Sequence, residues 1–276
     1  MTNSWQVDFY RRPLINAEGD ALWELLICGD RWQYSAFCPQ PQVSAQWVVT
    51  QFQQVGLPLP EQIQVFRPQS LSLLETACTE LGVTLEPTRR TIALKQLLQE
   101  RTQQYAQMPG YTGQAVQLTK IEQPPPLPFP DRLWGEKWQF ASLGASDLRD
   151  FIDQQPIPFI STPSELREQL LKLPPTTRVS GVIIYSGRRS LKLVEWLKAQ
   201  TPTSLHFIQG EPSGLVLAAA LCDRWILVTF DDPEVVLAAR EFEQRKQLTA
   251  GLHFLLVQPD DSGVTFTGIW LLDESD

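Results

Sequence analysis

Trp5-Gln6-Val7-Asp8-Phe9-Tyr10 opens the chain as an apolar-rich strand, and Leu22-Trp23-Glu24-Leu25-Leu26-Ile27-Cys28 follows it across a turn at Asn16-Ala17-Glu18-Gly19-Asp20. A third strand, Trp32–Cys38, is reached through Gly29-Asp30 and ended by Pro39 and Pro41. Ser44 is placed to cap a helix running to Gln54, with Trp47, Val48, Phe52 and Val55 on one face and Gly56 as its stop. Gln62–Phe66 reads as a strand, and Ser70 as the cap of a helix to Leu81 with Gly82 after it. A strand at Val83–Leu85 and an amphipathic helix at Thr91–Gln104 complete the set.

That order, βββαβαβα, predicts an α/β domain with a meander of three antiparallel strands followed by parallel ones, which is the order of the ribonuclease H-like fold. Working outward, Gln123-Pro124-Pro125-Pro126-Leu127-Pro128-Phe129-Pro130 is too proline-dense for a helix or a central strand and reads as a stiff spacer. The expected division is therefore a first domain over residues 1–120, a spacer over 121–133 and a second domain over 134–276. The second also reads as α/β with a mixed sheet. Trp138–Leu143, Leu205–Ile208, Leu252–Val257 and Val264–Leu272 are strands, and Leu215–Leu221 with Arg224–Phe230 form a hairpin. Val179–Tyr185 is apolar enough for a strand covered on both faces. Helices are expected at Pro163–Leu171, Ser190–Ala199 and Pro233–Leu248, the last with Asp232 as N-cap.

The 276 residues are 43% hydrophobic and 20% charged, with nine Trp and thirteen Phe, which is globular usage with enough large side chains for two cores. The longest apolar run, Leu215–Cys222, is far short of the roughly 20 residues a membrane span needs. The first residues carry no leader or transit signal, so a cytoplasmic protein is expected. A net charge of −8 argues against coating nucleic acid by bulk charge. The charge is uneven: residues 1–120 are net −1 and residues 134–276 net −6, so the first domain is the better place for a local basic groove. Cys28, Cys38, Cys78 and Cys222 have no Cys-x-x-Cys spacing, and His206 and His253 stand alone at strand starts. No metal or cofactor is expected, and the thiols read as buried and reduced.

The fold order makes a metal-dependent nuclease the first enzyme to weigh. Asp8 in the first strand and Glu24 beside it are the candidate ligands. The first helix contains no acid, however, and Phe66-Arg67-Pro68-Gln69 puts a cation where a further ligand is needed. The domain therefore reads as catalytically silent, with Asp8 and Glu24 paired to Arg11, Arg12 or another basic group. The arginines carry the functional expectation. Arg11 and Arg12 follow the first strand, Arg67 the fourth, and Arg89 and Arg90 the fifth. If those strands are parallel neighbours, their ends gather the five on one sheet edge, with Tyr10 and Phe66 in the same segments to stack on bases. Arg188 and Arg189, between a strand and the helix at Ser190, form a matching anion seat in the second domain. The loop Gly210-Glu211-Pro212-Ser213-Gly214 fits no nucleotide or nucleophile motif.

Trp5–Pro13 and Leu22–Cys28, with Phe66-Arg67-Pro68-Gln69, Pro87-Thr88-Arg89-Arg90, Pro109-Gly110-Tyr111, Leu133-Trp134-Gly135-Glu136 and the closing Gly268-Ile269-Trp270-Leu271-Leu272, together resemble the TAB-type proteins of oxygenic phototrophs across nearly the whole chain. The resemblance implies a non-catalytic protein that binds single-stranded, A/U-rich messenger leaders and supports translation and assembly of photosystem subunits. It points to a cyanobacterial-like member, with translation or photosystem assembly proteins as further partners. Trp270 has two readings, a core residue of a last strand or a stacking face for RNA. The rivals to RNA binding are the nuclease using Asp8 and Glu24 and a protein-interaction scaffold docking through the acidic second domain.

Overall fold

The computed structural model describes residues 4–29, 31–114, 117–119 and 124–274. Asp30 of the expected turn, residues 121–123 of the expected spacer and the three residues before Ser4 lie outside them. The chain forms two units, Met1–Glu122 and Gln123–Asp276.

In the first unit, β1 (Ser4–Ile15), β2 (Ala21–Cys28) and β3 (Gln33–Pro39) form the antiparallel meander. They are followed by α1 (Ala45–Gln54), β4 (Gln62–Val65), α2 (Leu71–Leu81), β5 (Thr84–Pro87) and α3 (Ile92–Tyr105). The strand order is β3-β2-β1-β4-β5, with β1, β4 and β5 parallel. Alternation along the strands sorts the side chains. Trp5, Val7, Phe9, Leu25 and Ile27 pack with Val48 and Phe52 of α1 and Leu74 of α2. Leu26 and Cys28, from the opposite face, pack with Leu94, Leu98 and Tyr105 of α3. Ser44 caps α1 by accepting from the Trp47 N–H at 3.2 Å, as its position predicts. Ser70 occupies the cap position of α2 but does not cap it, because its hydroxyl donates to the Arg67 carbonyl at 3.2 Å.

Gly110 explains one of the short motifs. Its φ is +80°, and a Cβ there would fall 2.0 Å from the Ile15 carbonyl oxygen, so only glycine lets residues 110–112 run along the end of β1. The Ile15 N–H donates to the Gly110 carbonyl at 2.9 Å across that approach.

The second unit holds two sheets. β7 (Lys137–Gly144), β8 (Phe159–Ser161), β9 (Arg178–Tyr185), β13 (His253–Gln258) and β14 (Gly268–Leu272) form one, in the order β7-β9-β13-β14-β8. β6 (Leu127–Pro128), β10 (Pro202–Ile208), β11 (Ser213–Ala219) and β12 (Asp223–Phe230) form the other, in the order β10-β11-β12-β6. Helices α4 (Ala145–Gln154), α5 (Ser164–Lys172), α6 (Ser190–Gln200) and α7 (Pro233–Leu248) complete it. Val182, Ile184, Leu255, Val257, Trp270 and Leu272 face α6, α7 and the four-stranded sheet. Phe254, Leu256, Ile269 and Leu271 face α4 and α5. The near-continuous apolar runs of β9, β13 and β14 follow from this two-sided burial.

Part of the proline-dense stretch has a structural job. Leu127–Pro128 pairs parallel with Trp225–Ile226, and Phe129 is buried against Trp134 and Trp196. Proline lacks the N–H a central strand needs, so the segment takes the edge position. The sequence pattern also placed no element at α4 or β8, and it drew the last strand too long. The chain turns at Gly263, with φ +69°, and β14 starts only at Gly268.

β10 is the edge strand opposite β6, and its outward backbone groups at Leu205 are satisfied by buried side chains. The Leu205 N–H donates to His253 Nε2 at 2.8 Å, and its carbonyl accepts from Lys246 Nζ at 2.7 Å. His253 Nδ1–H in turn donates to the Gly251 carbonyl at 2.7 Å, which fixes the neutral ring. Burial, then the neighbouring Lys246 charge, push the His253 pKa down to about 3. A group held below its unfolded value of about 6.5 stabilises the fold above that value and loses the contribution as pH falls toward 3. Urea midpoints measured at pH 7.5, 6 and 5 are expected to fall with acid, at up to about 1.4 kcal/mol per pH unit from this residue. His253→Asn is expected to flatten that slope, and an unchanged slope in the variant would contradict the assignment.

Candidate nucleic-acid interface

Asp8 lies on the face of β1 that looks toward α3, because Val7 and Phe9 face the other way. Glu24 sits opposite Tyr10 on β2, so it shares that face. Both carboxylates are fully buried, and both are held by guanidinium groups. Asp8 Oδ1 accepts from Arg67 Nε at 2.7 Å, and its Oδ2 accepts from Arg12 Nη2 at 2.9 Å. Glu24 Oε2 accepts from Arg12 Nε at 3.1 Å and from the Tyr105 hydroxyl. Arg101 of α3 reaches Glu24 Oε1 at 3.4 Å. Arg67 also donates to the Leu118 carbonyl, and its guanidinium carbon lies 4.2 Å from the centre of the Tyr10 ring.

The electrostatics follow from burial. Desolvation alone would lower the Arg12 pKa. Asp8, Tyr105 and Glu24 outweigh it, so the group lies above its ordinary value. Burial, with the Glu24 carboxylate beside it, raises the Tyr105 pKa well above the ordinary phenol value and keeps it a donor. Asp8 and Glu24 are thus oriented toward arginine rather than toward a metal. A divalent ion bound between them would have to displace Arg12 and Arg67. This corrects the nuclease assignment of these two carboxylates, and it agrees with the expectation that they pair with basic groups.

The same contacts correct the expected arginine rim. β1, β4 and β5 are parallel neighbours, and Arg12 and Arg67 do converge, with Tyr10 and Phe66 beside them. They converge inside the unit. Arg12 is 1% exposed, Arg67 and Arg89 are 4% exposed, and Phe66 is fully buried, so these four do not line an open groove. Arg11 is exposed but lies on the opposite face from Asp8, level with Trp23. Arg90 and Tyr10 are half-buried. Trp270 is 2% exposed and packs 5.0 Å from the Phe159 ring, so it is the core residue of the last strand and not a stacking face.

Arg188 and Arg189 are exposed, in the 3₁₀ turn Gly187–Arg189 that leads into α6. Nearby is a surface cavity of about 470 Å³ lined by Arg132, Leu133, Lys192, Glu195 and Trp196. Sequence reading missed this group, along with the roles of Tyr105 and Arg101. The available signal was spacing: Arg188, Lys192 and Trp196 follow one another at four-residue intervals, which is one stripe of a helix.

Residues 4–101 match the family described as RNA-binding protein Tab2/Atab2 N terminal, and residues 116–273 match RNA-binding protein Tab2/Atab2, C-terminal domain. The chain belongs to the Tab2/Atab2 RNA-binding family. It is 29% identical to the protein TAB2 homolog, chloroplastic, of Arabidopsis thaliana, over 97% of this chain and 74% of that one. It is 27% identical to the Zea mays protein of the same description, over 97% of this chain and 70% of that one. Among solved structures, a chain of the simian T-cell lymphotropic virus intasome in complex with PP2A regulatory subunit B56 gamma is 14% identical over 39% of this chain and 44% of that chain. Its TM-score of 0.24 is too low to carry an argument. In this Tab2/Atab2 member, the motifs Phe66-Arg67 and Trp270-Leu271-Leu272 serve the interior of their units, and Gly110 serves a backbone contact.

The Tyr105 hydroxyl supports a buried carboxylate, so Tyr105→Phe is expected to cost about 1.5–3 kcal/mol in urea unfolding. Tyr34→Phe, which removes a half-buried hydroxyl from Gln51, is expected to cost about 1 kcal/mol or less. Equal losses in the two variants would contradict the ranking.

Proposed function

We propose that this chain is a non-catalytic protein that binds single-stranded RNA, namely the A/U-rich leader of a messenger, and supports translation and assembly of photosystem subunits. Membership of the Tab2/Atab2 RNA-binding family over both units is the observation that carries the reading. The chloroplastic designation of the two plant relatives supports the link to photosynthesis, and the aqueous compartment of a phototroph is the proposed setting. No helix among the described residues is long and apolar enough to cross a membrane.

A chain of net charge −8 must bind RNA through local cations. The exposed Arg11, Arg188 and Arg189 and the half-buried Arg90 and Tyr10 are the members of the expected set that stay within reach of a ligand. Arginine on phosphate and an aromatic ring on a base are the chemistry of single-strand recognition. Translation and photosystem assembly proteins are the proposed further partners.

Filter binding of A/U-rich and G/C-rich single strands between roughly 50 and 200 mM salt, over which the Debye length falls about twofold, tests this. The expected result is preference for the A/U-rich strand and an affinity falling with salt, with a logarithmic slope of about −0.7 per phosphate contacted. RNA left unbound at the lowest salt would overturn the reading. Cleavage of the RNA in the presence of Mg²⁺ would overturn its non-catalytic part.

A further inference from the structure

α6 begins with an unusual charge pattern. The partial positive end of a helix favours acidic residues in its first turn and disfavours basic ones. Here the first turn holds no acid, the preceding turn holds Arg188 and Arg189, and Lys192 follows within one turn. No side chain caps the helix start. These cations do nothing for helix stability, and an anion is the group that would relieve their proximity.

The cavity beside them supplies a second, independent feature. Lys192, Glu195 and Trp196 project from one face of α6, since Leu193, Val194 and Leu197 occupy the core on the other. Arg132 closes the cavity from the turn before β7. Its volume of about 470 Å³ falls in the range of ligand cavities, about 300–1,000 Å³. Trp196 is half-buried and held by near-perpendicular contacts with Phe129 at 5.0 Å and Trp225 at 5.2 Å. An aromatic ring fixed before binding loses little entropy when a base stacks on it. Arg189 joins the two features, because its Nη1 reaches the Trp134 carbonyl at 3.5 Å and Trp134 in turn packs on Phe129. Two acids stand close by: Glu195 lines the cavity with Arg132 and Lys192, and the Glu136 carboxylate lies against Gly187 of the turn that carries Arg188 and Arg189.

We propose that this cavity is a nucleotide seat for single-stranded RNA, in which one base stacks on Trp196 and the flanking phosphates lie against Arg132 and Lys192 on one side and Arg188 and Arg189 on the other. The proposal rests on the RNA-binding reading above and locates it on the second unit. That location reverses the expectation drawn from net charge, which favoured the first unit. Local placement decides the matter: Arg132, Lys192, Arg188 and Arg189 outnumber the nearby Glu136 and Glu195, and the more distant surplus of carboxylates is screened over about 10 Å.

The test is fluorescence anisotropy of a labelled A/U-rich single strand with the full chain and two variants. One is R132Q/K192Q, both exposed positions, and the charge-matched control is K172Q/R240Q, also exposed. Thermal melting of each protein accompanies the binding curves. The expected result is a loss of about tenfold or more in R132Q/K192Q, with the salt slope reduced by about 1.4 for two lost phosphate contacts. The control is expected to stay within about threefold, a change that general charge can supply. Wild-type binding with R132Q/K192Q also within that margin would overturn the seat and leave the RNA reading standing. Wild-type protein that binds no RNA would overturn both. Inorganic polyphosphate that displaces the RNA as well as RNA itself does, per phosphate, would overturn the stacking role of Trp196.

Discussion

The fully buried Asp8 carboxylate, gripped by Arg67 from the end of β4 and by Arg12 from its own strand, is the interaction on which the first unit depends. It ties the parallel half of the sheet to the antiparallel half. Through Arg12, Glu24 and Tyr105 it extends to α3, and through Arg67 to Leu118. Charges taken out of water are costly, and their attraction offsets the cost only when geometry is good and the remaining polar atoms find partners. Here Asp8 has two arginine partners, and Glu24 has Arg12, Arg101 and the Tyr105 phenol. Removing a charged member leaves its partner buried with less compensation, which is far more costly than breaking an exposed pair.

That constraint also changes what the first unit offers a ligand. Arginines at the ends of parallel strands are natural polyanion contacts when they face solvent. In this unit two of the five are consumed by acids on neighbouring strands. Of the five, Arg11 is exposed, Arg90 is half-buried and Arg89 is buried. In the second unit the logic is reversed. Its net charge is strongly negative, yet the start of α6 concentrates cations beside a cavity with a fixed tryptophan. The buried Lys246 and His253 are committed to the backbone of β10, and Trp270 to the core, so these three offer no surface to a ligand.

Much of the fold was legible because it rests on local pattern. The meander, the amphipathic α1 with its cap Ser44, α2 and the apolar β9 follow from periodicity and turn chemistry. The missed strands share a cause, which the missed helix α4 does not, since its Leu148 and Ile152 stand at helical spacing. β6 and β8 are two- and three-residue pairings that tertiary contact creates and no local pattern encodes. Asp8 and Glu24 were recognised as chemically charged positions, and their pairing with arginine was foreseen. Which arginine would turn inward was not, since that depends on strand alternation combined with the position of α3. Arg11 and Arg12 are adjacent in sequence, and pleating sends one to solvent and the other to the interior. The cavity at Trp196 is lined by two segments about 60 residues apart, Arg132–Leu133 and Lys192–Trp196, which local sequence pattern does not juxtapose.

A double-mutant cycle between Asp8 and Arg67 tests the central claim most directly. Urea unfolding of the wild type, Asp8→Asn, Arg67→Met and the double variant yields the coupling energy between the two side chains. Each single change is expected to be strongly destabilising, while the pair together is much less costly than the sum, with a coupling of about 1–3 kcal/mol. Losses that add within about 0.5 kcal/mol would show that the two side chains do not meet inside the protein, and would return Arg67 to the surface.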